Sequence, residues 1–315
     1  MTLTQLSAFV LVARLGSVKA AAAALGVSEP AVSQALASLR KYFGDSLLIR
    51  GPNGMELTEG GNRLLGVAAQ MVALGAEAEE AVRTARGQPA QLRLVADSTL
   101  VELVSGPLAE AFSRRTSGSV EVAAGVATTA EMAVLVSQRL ADLAIGPRIT
   151  ADPGLALVSE PIVRGTLVVL GSSRSAPRGP LTGWPWLVDP SGTDPHGDVG
   201  QLLRGLGVPE QRVSVYPNQT AAWEAAAAGT GVAPAVSHLA APQLRRRDMR
   251  VVPTPLTPRP ICWHATTLRP DRRSPSAGSL RRFLGTPEGM RLLRSPAGGV
   301  PPSRFRPPVY VTIWS

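Results

Sequence analysis

The sequence predicts a small winged helix-turn-helix unit, then a long helix, then an α/β unit of two Rossmann-like lobes. Three observations lead to this prediction. Short helical patterns separated by glycines fill the first 58 residues. An unbroken helical pattern follows over residues 58–86. From residue 91 onward, buried strands alternate with helices, which is typical of a mainly parallel sheet covered by helices.

The N-terminal unit begins with two short helices. Residues 4–14 place apolar side chains on one helical face, and Gly16 ends this pattern. Ser17 is a suitable N-cap for a second helix over residues 18–25, whose alanines have a high helix propensity. Gly26 ends the second helix, as a glycine just past a helix terminus commonly does.

A third helix follows the tight turn at Gly26. Ser28 is a suitable N-cap, and Pro30 is tolerated in the first helical turn. The apolar positions form one stripe, consisting of Val32, Leu36, Leu39 and Phe43. The opposite face must therefore point outward, and it consists of Glu29, Ser33, Gln34, Ala37 and Lys41.

Two short strand-like runs, "LLIRGPNGMELT", come next and predict a hairpin with its turn at residues 51–54. Three helices followed by a hairpin are the order of a winged helix-turn-helix. Along the helix over residues 58–86, the apolar seam consists of Leu64, Leu65, Ala68, Met71, Val72, Gly75, Ala78 and Val82. We expect this seam to pack against a second chain.

Strands and helices then alternate twice, which predicts two α/β lobes of similar size. We predict strands over residues 92–96, 120–126, 142–146, 166–171, 186–189, 212–216, 231–236 and 261–268, and helices over 100–115, 129–140, 197–206, 220–228 and 277–294. The expected domains are residues 1–58, a linker helix and hinge at 59–89, and a two-lobed α/β domain at 90–294. Its first lobe covers about 90–161 and 266–294, and its second about 162–265. The Pro-rich tail, residues 295–315, is expected to be disordered through about Pro308.

Composition excludes several classes of protein. The single cysteine, Cys262, excludes an internal disulfide and a multi-cysteine metal site. No apolar run is long enough for a transmembrane helix, and no signal pattern begins the chain, so we expect a cytoplasmic protein with no membrane partner. The formal net charge of +9 is concentrated in residues 240–315, where 14 arginines face three acidic residues. This charge therefore gives no argument that the N-terminal unit binds DNA.

Residues 6–61 resemble the N-terminal domain of the LysR-type transcriptional regulators. The resemblance runs without a gap through Phe9, Gly16-Ser17, Ala21-Ala22, Leu25, Ser28, Pro30-Ala31-Val32-Ser33, Leu39, Gly44, Leu47, Arg50, Leu57-Thr58-Glu59 and Gly61. More weakly, "RLADLAIG" and "AAAAGTGVAP" resemble segments of the family's sensor, which has two lobes like those of periplasmic binding proteins. The resemblance implies a dimer, often assembled into tetramers, that binds double-stranded DNA and a small-molecule effector between the lobes. It also implies gene regulation, with RNA polymerase as a partner if the protein activates.

A recognition helix contacts base edges with its N-terminal residues. Gln34 can pair with adenine, Ser33 with a base or a phosphate, and Pro30 with a thymine methyl group. Glu29 can accept a hydrogen bond from cytosine, or it can simply stabilise the helix N-terminus. The full set of expected DNA-binding residues is Ser17, Lys19, Ser28, Glu29, Pro30, Ser33, Gln34, Lys41, Arg50 and Asn53.

The recognition helix departs from the family pattern in its charge. Positions 34 and 37 are often basic in the family but are Gln34 and Ala37 here, and the usually acidic position 40 is Arg40. Phosphate contacts must then depend on Lys19, Lys41, Arg50 and Arg63. We therefore expect modest affinity for each half-site, raised by avidity, with a shallow salt dependence.

Ligands of parallel sheets bind at the carboxyl ends of the strands. The hydroxyl and amide groups found there suit a carboxylate or another polar small molecule, with helix capping as their alternative role. Arg148 can pair with an anionic effector, or it can be a solvated loop arginine. The expected effector-binding residues are Ser98, Thr99, Thr128, Thr129, Arg148, Ser191, Thr193 and Asn218.

Two other classes of function are alternatives. An enzyme is not expected, because the three histidines lack metal-ligand spacing and no nucleophile motif or phosphate-binding loop is present. No catalytic residue, metal or cofactor is therefore predicted. An effector-independent architectural DNA-binding protein is the second alternative, and ligand-induced thermal shifts would separate it from a sensor.

Overall fold

Three helices and a hairpin form the N-terminal unit in the computed structural model, which describes residues 1–51, 54–150, 156–175 and 179–295, without the side chain of Glu80. The elements are α1 (Leu3–Leu15), α2 (Val18–Leu25), α3 (Glu29–Phe43), β1 (Leu48–Gly51) and β2 (Gly54–Leu57). They lie within one or two residues of the predicted helices. The hairpin-tip residues Pro52 and Asn53 lie outside the described residues, as does the tail beyond Ser295.

Local capping explains where these helices begin and end. Thr2 and Gln5 form a capping box at the start of α1. Gly16 and Gly26 end α1 and α2 with φ near +67°, a left-handed conformation that glycine adopts at little cost. Phe9 of α1 has no exposed surface and shares an apolar cluster with Leu36 and Leu39 of α3. A tight three-helix core therefore holds α3 against α1.

Helix α4 (Glu59–Ala85) is the predicted linker helix, but half of its apolar seam packs within the chain. Ala68 and Val72 are buried in the same apolar cluster as α1, and a Cβ atom on Gly75 would come within 2.5 Å of Leu3. The expectation that the whole seam meets a second chain is therefore wrong for its N-terminal part, because α1 folds back onto α4. Large apolar side chains remain exposed on α4 at Val67, Leu74 and Val82.

In the described part of the two lobes, nine strands form one continuous sheet. Its strands are β3 (Ala90–Ala96), β4 (Val120–Val126), β5 (Leu143–Gly146), β6 (Leu157–Ser172), β7 (Trp186–Val188), β8 (Val213–Val215), β9 (Val232–Val236), β10 (Met249–Val252) and β11 (Arg259–Leu268). The order is β4-β3-β5-β11-β6-β9-β7-β8, with β10 also paired to β6. Neighbours β3, β4 and β5 are parallel, as are β7, β8 and β9.

The long antiparallel pair β6–β11 connects the lobes. The first part of β6 pairs with the end of β11 beside β5, whereas its second part pairs with β9 and β10. The register of this pair shifts between Trp263 and His264, where the strands pass from one lobe to the other. The sequence prediction places only residues 166–171 in β6 and omits β10. It therefore does not show that one sheet extends through both lobes.

Helices cover the sheet: α5 (Ser98–Leu100), α6 (Gly106–Arg115), α7 (Thr129–Ser137), α8 (Asp198–Gly205), α9 (Gln219–Ala227), α10 (Ala241–Arg245), α11 (Pro275–Leu284) and α12 (Pro287–Arg294). A π-helical turn, Val101–Ser105, joins α5 to α6. The single helix predicted over 277–294 is broken after Gly285, because Thr286 caps a new helix whose first residue is Pro287. In the described part of the chain, no helix is both long and apolar enough to cross a membrane.

Candidate DNA-binding surface and inter-lobe cleft

The N-terminal turn of α3 is exposed to solvent. Ser28 caps the helix by accepting a hydrogen bond from the Ala31 N–H at 3.4 Å. Of the predicted apolar stripe of α3, Val32, Leu36 and Leu39 are buried. Phe43 is 40% exposed, because it lies in the last turn of the helix, beyond the three-helix core. The four predicted base-contacting residues are all exposed: Glu29, Pro30, Ser33 and Gln34. The structure thus presents these side chains together on one outward face.

The predicted phosphate contacts lie around this helix. Ser17 caps α2 by accepting from the Ala20 N–H at 3.3 Å, which orients its first turn. Lys19, Lys41 and Arg50 are exposed. Arg63 forms an exposed ion pair with Glu59 at 2.6 Å and is partly neutralised by it. Asn53 lies outside the described residues, so its contact stays a prediction.

Between the lobes, four of the predicted effector-binding residues come together. The Ser98 N–H donates to Ser191 Oγ at 2.7 Å, and the Ser98 hydroxyl donates to Asp189 Oδ2 at 2.5 Å. The Thr99 hydroxyl donates to the same oxygen at 2.9 Å. Thr129 donates both its N–H, at 2.7 Å, and its hydroxyl, at 2.8 Å, to Asp194 Oδ2. These contacts all cross from the first lobe to the second.

A further pair of cross-lobe hydrogen bonds uses a carboxylate of the first lobe. Glu102, in the π-helical turn, accepts from the Gln219 N–H at 2.7 Å and from the Thr220 N–H at 3.1 Å. These N–H groups belong to the first turn of α9. The N-terminus of α9 is therefore bound by an anionic group of the chain itself, as favoured by the helix dipole.

The other four predicted residues do not meet in the cleft. Thr128 caps its own helix in a capping box with Glu131. Asn218 caps α9 and is buried, with its Nδ2 atom unpartnered. Thr193 is exposed and donates to the Pro190 carbonyl. Arg148 is exposed, and it forms no ion pair within the described residues.

Carboxylates dominate the cleft, although the sequence patterns did not indicate them. Burial raises the pKa of Asp97 from its ordinary value to about 7, and the nearby charges of Asp189 and Asp198 act in the same direction, whereas a hydrogen bond from the Leu100 N–H opposes them. Burial also raises the pKa of Glu102, Asp189 and Asp198. Charges of Arg259 and His264 oppose the rise at Asp198. The cleft is therefore a weakly solvated acidic environment.

A cavity of about 50 Å³ lies at this junction. Its polar lining residues are Asp97, Thr99, Thr129, Asp189, Ser191, Asp194 and Asp198, and Trp263 and Ile261 are among its apolar ones. None of the described residues lining it is Lys, Arg or His. This lining gives the predicted anionic effector less support than the hydroxyls alone suggested, because its donors already bind carboxylates.

A larger cavity, of about 1430 Å³, lies between the N-terminal unit, α4 and the first lobe. Small apolar residues of α2 and α3 line one side, including Ala23, Ala24 and Ala31. Its ionic groups include two ion pairs, Arg139–Glu77 and Arg93–Asp142, and within each pair the two charges neutralise each other. We therefore take the inter-lobe cleft, where polar groups of both lobes converge, as the candidate effector site.

One sequence signal could have found part of this carboxylate set. Asp97 and Asp189 directly follow β3 and β7, the positions that led to Ser98 and Ser191. Asp194 and Asp198 follow in the same loop and the next helix. Glu102 had no such signal, because it lies inside a helical segment and reaches α9 only in the folded chain.

The fold and these two surfaces define a class of protein: a winged-helix DNA-binding unit joined through a long helix to a two-lobed sensor. The family profile described as "Bacterial regulatory helix-turn-helix protein, lysR family" matches residues 3–62. The profile "LysR substrate binding domain" matches residues 85–286. The chain belongs to the LysR family of DNA-binding transcriptional regulators, in which an effector-binding domain follows the helix-turn-helix.

Relatives support the same assignment. The chain is 33% identical over 327 aligned positions to the uncharacterised HTH-type transcriptional regulator Rv0377 of Mycobacterium tuberculosis, with 100% of both chains covered. It is 32% identical over 221 residues to the HTH-type transcriptional regulator BlaA of Streptomyces cacaoi, covering 68% of this chain and 66% of BlaA.

Solved structures share the fold. CbnR, a LysR family transcriptional regulator, has a TM-score of 0.52 at 20% identity, covering 94% of this chain and 100% of CbnR. CbnR complexed with its target DNA has a TM-score of 0.51 at 21% identity, covering 90% and 99%. A single-residue variant of full-length AphB has a TM-score of 0.56 at 16% identity, covering 90% and 98%.

Proposed function

We propose that this LysR-family regulator reads an operator through the exposed N-terminal turn of α3. The observation that carries this proposal is the division of α3 into a buried apolar stripe and an outward face bearing Pro30, Ser33 and Gln34. Gln34 pairs with adenine, Ser33 contacts a base or phosphate, and Pro30 packs on a thymine methyl group. Glu29 either accepts from cytosine or serves the helix dipole.

The phosphate contacts come mainly from Lys19, Lys41 and Arg50, with Ser17 and Ser28 at the helix starts. Asn53, outside the described residues, stays a predicted contact. Few basic side chains surround α3, so one protomer binds its half-site with modest affinity. A dimer or tetramer raises the overall affinity by avidity. The exposed apolar side chains of α4 support such self-association. Since it acts on DNA, the protein works in the cytoplasm, as a regulator and not as an enzyme, and contacts RNA polymerase if it activates.

Operator selection from random duplexes tests this function. The selected duplex should bind the full-length chain more tightly than a scrambled duplex, and its affinity should fall with salt less steeply than that of a strongly basic dimer. Fluorescence anisotropy at several salt concentrations measures both quantities. Equal affinity for selected and scrambled duplexes would refute sequence-specific recognition.

The inter-lobe cleft is the proposed effector site, with Ser98, Thr99, Thr129 and Ser191 at its centre. A second candidate function, effector-independent DNA binding, is favoured by one observation: the polar groups of the cleft already bind each other. Thermal shift over a panel of metabolites separates the two, because a ligand that binds the native sensor raises its melting temperature. A panel without any shift would favour the effector-independent alternative.

A further inference from the structure

The N-terminus of α7 faces the opposite lobe, and it is already occupied there. Asp194 of the second lobe accepts both the N–H and the hydroxyl of Thr129. In many proteins the start of a helix binds anions, because its first N–H groups have no partner within the helix and the helix dipole favours negative charge. Here the bound anion is a side chain of the same chain.

The N-terminus of α9 is occupied in the reverse direction. Glu102 of the first lobe accepts the N–H groups of Gln219 and Thr220 in the second. Asp189 adds a third carboxylate contact, to the hydroxyls of Ser98 and Thr99. Each lobe thus places a carboxylate on a helix N-terminus of the other, so the contacts can form only when the lobes are closed.

The three carboxylates are well buried, with Asp189 and Glu102 each 2% exposed and Asp194 6% exposed. Charge-assisted hydrogen bonds are about twice as strong as neutral ones. Breaking such a bond in a buried site leaves a carboxylate without compensation, which is costly. Separation of the lobes must therefore break several contacts of this kind together.

Taken together, these contacts behave as a latch. We propose that the sensor is self-liganded: Asp194, Asp189 and Glu102 take the positions that the oxygens of an anionic effector would take, and hold the two lobes closed. An anionic compound then acts by displacing a latch carboxylate. This inference rests on the proposed function only in treating the cleft as the effector site.

Hydrogen exchange on the full-length chain without added ligand tests the latch. The informative amides are those of Gln219 and Thr220, because they bind Glu102 and lie outside the substituted contact. In the Asp194→Ala variant they should exchange at least about tenfold faster, as the loss of both charge-assisted bonds from Thr129 permits. The Asp271→Ala variant is the matched control, since it makes the same side-chain change at an exposed aspartate outside the cross-lobe contacts.

A milder variant guards against misfolding. Thr129→Val removes one donor to Asp194 and keeps the volume and the backbone N–H, so it should speed the same two amides by a smaller factor. Sodium acetate should slow them again in Asp194→Ala by occupying the start of α7, whereas sodium chloride of equal ionic strength should not.

Two results would overturn the latch. One is faster exchange confined to the Thr129 segment, which would make Asp194 a local cap. The other is unprotected Gln219 and Thr220 amides in the wild type. Both readouts are independent of DNA, so operator binding measured in parallel tells failure of the latch from failure of the proposed function.

Discussion

The Asp97→Asn substitution should stabilise the protein at alkaline pH. Asp97 follows β3 and caps α5, with its Oδ1 atom accepting from the Leu100 N–H at 2.8 Å. Asparagine is an equally good N-cap, so the substitution keeps this hydrogen bond and removes the titratable group.

The sign follows from the pKa of Asp97, which burial raises from 3.8 to about 7. Above pH 4 the unfolded chain releases this proton, whereas the folded chain retains it. Folding therefore takes up a proton between about pH 4 and pH 7, and stability falls as pH rises through this range and then stays constant. The whole difference in pKa corresponds to at most about 4 kcal/mol. Asp97 is partly exposed, so we expect roughly half of this, about 2 kcal/mol, at pH 8.

Thermal unfolding at pH 5 and pH 8 measures the effect. At pH 8 the Asp97→Asn variant should melt about 4–8 °C above the wild type, given the usual scaling for a domain of this size. At pH 5 the gain should be clearly smaller. Asp271→Asn, at an exposed aspartate, is the control and should change neither value. An equal shift at both pH values, or a less stable variant at pH 8, would show that the proton on Asp97 is not the cause.

Three further predictions concern DNA binding, the core and assembly. Gln34→Ala should cost about 1–3 kcal/mol of discrimination at one base pair of the operator, measured by anisotropy on base-substituted duplexes, while binding of scrambled DNA stays nearly constant; an equal loss on both duplexes would make Gln34 a nonspecific contact. Leu39→Ala should lower the free energy of unfolding by about 2–5 kcal/mol in urea titration, because Leu39 is fully buried between α3 and α1; a change below that range would contradict the packing. Leu74→Asp should shift the full-length chain toward smaller species in analytical ultracentrifugation, since Leu74 is 63% exposed on α4; Glu79→Gln on the same helix is the control, and unchanged assembly of Leu74→Asp would place the interface elsewhere.

The N-terminal unit could be predicted almost residue by residue, because local rules determine it. Ser17 and Ser28 cap the helices that they were expected to cap, and Gly16 and Gly26 adopt the left-handed conformation that ends a helix. These signals act within one or two helical turns. Long-range packing was less accessible: no local pattern reveals that α1 covers the N-terminal half of the α4 seam.

The sequence by itself determined the class of protein, the order of its units and the outward face of α3, since periodicity and capping depend on residues close in the chain. It also marked the strand ends where polar groups gather. Only the tertiary structure decided what those groups bind. Glu102 and Gln219 are 117 positions apart, and Ser98 and Asp189 are 91 apart. Their pairing depends on how β6 and β11 join the two lobes, so the acidic character of the cleft emerges only when the lobes meet.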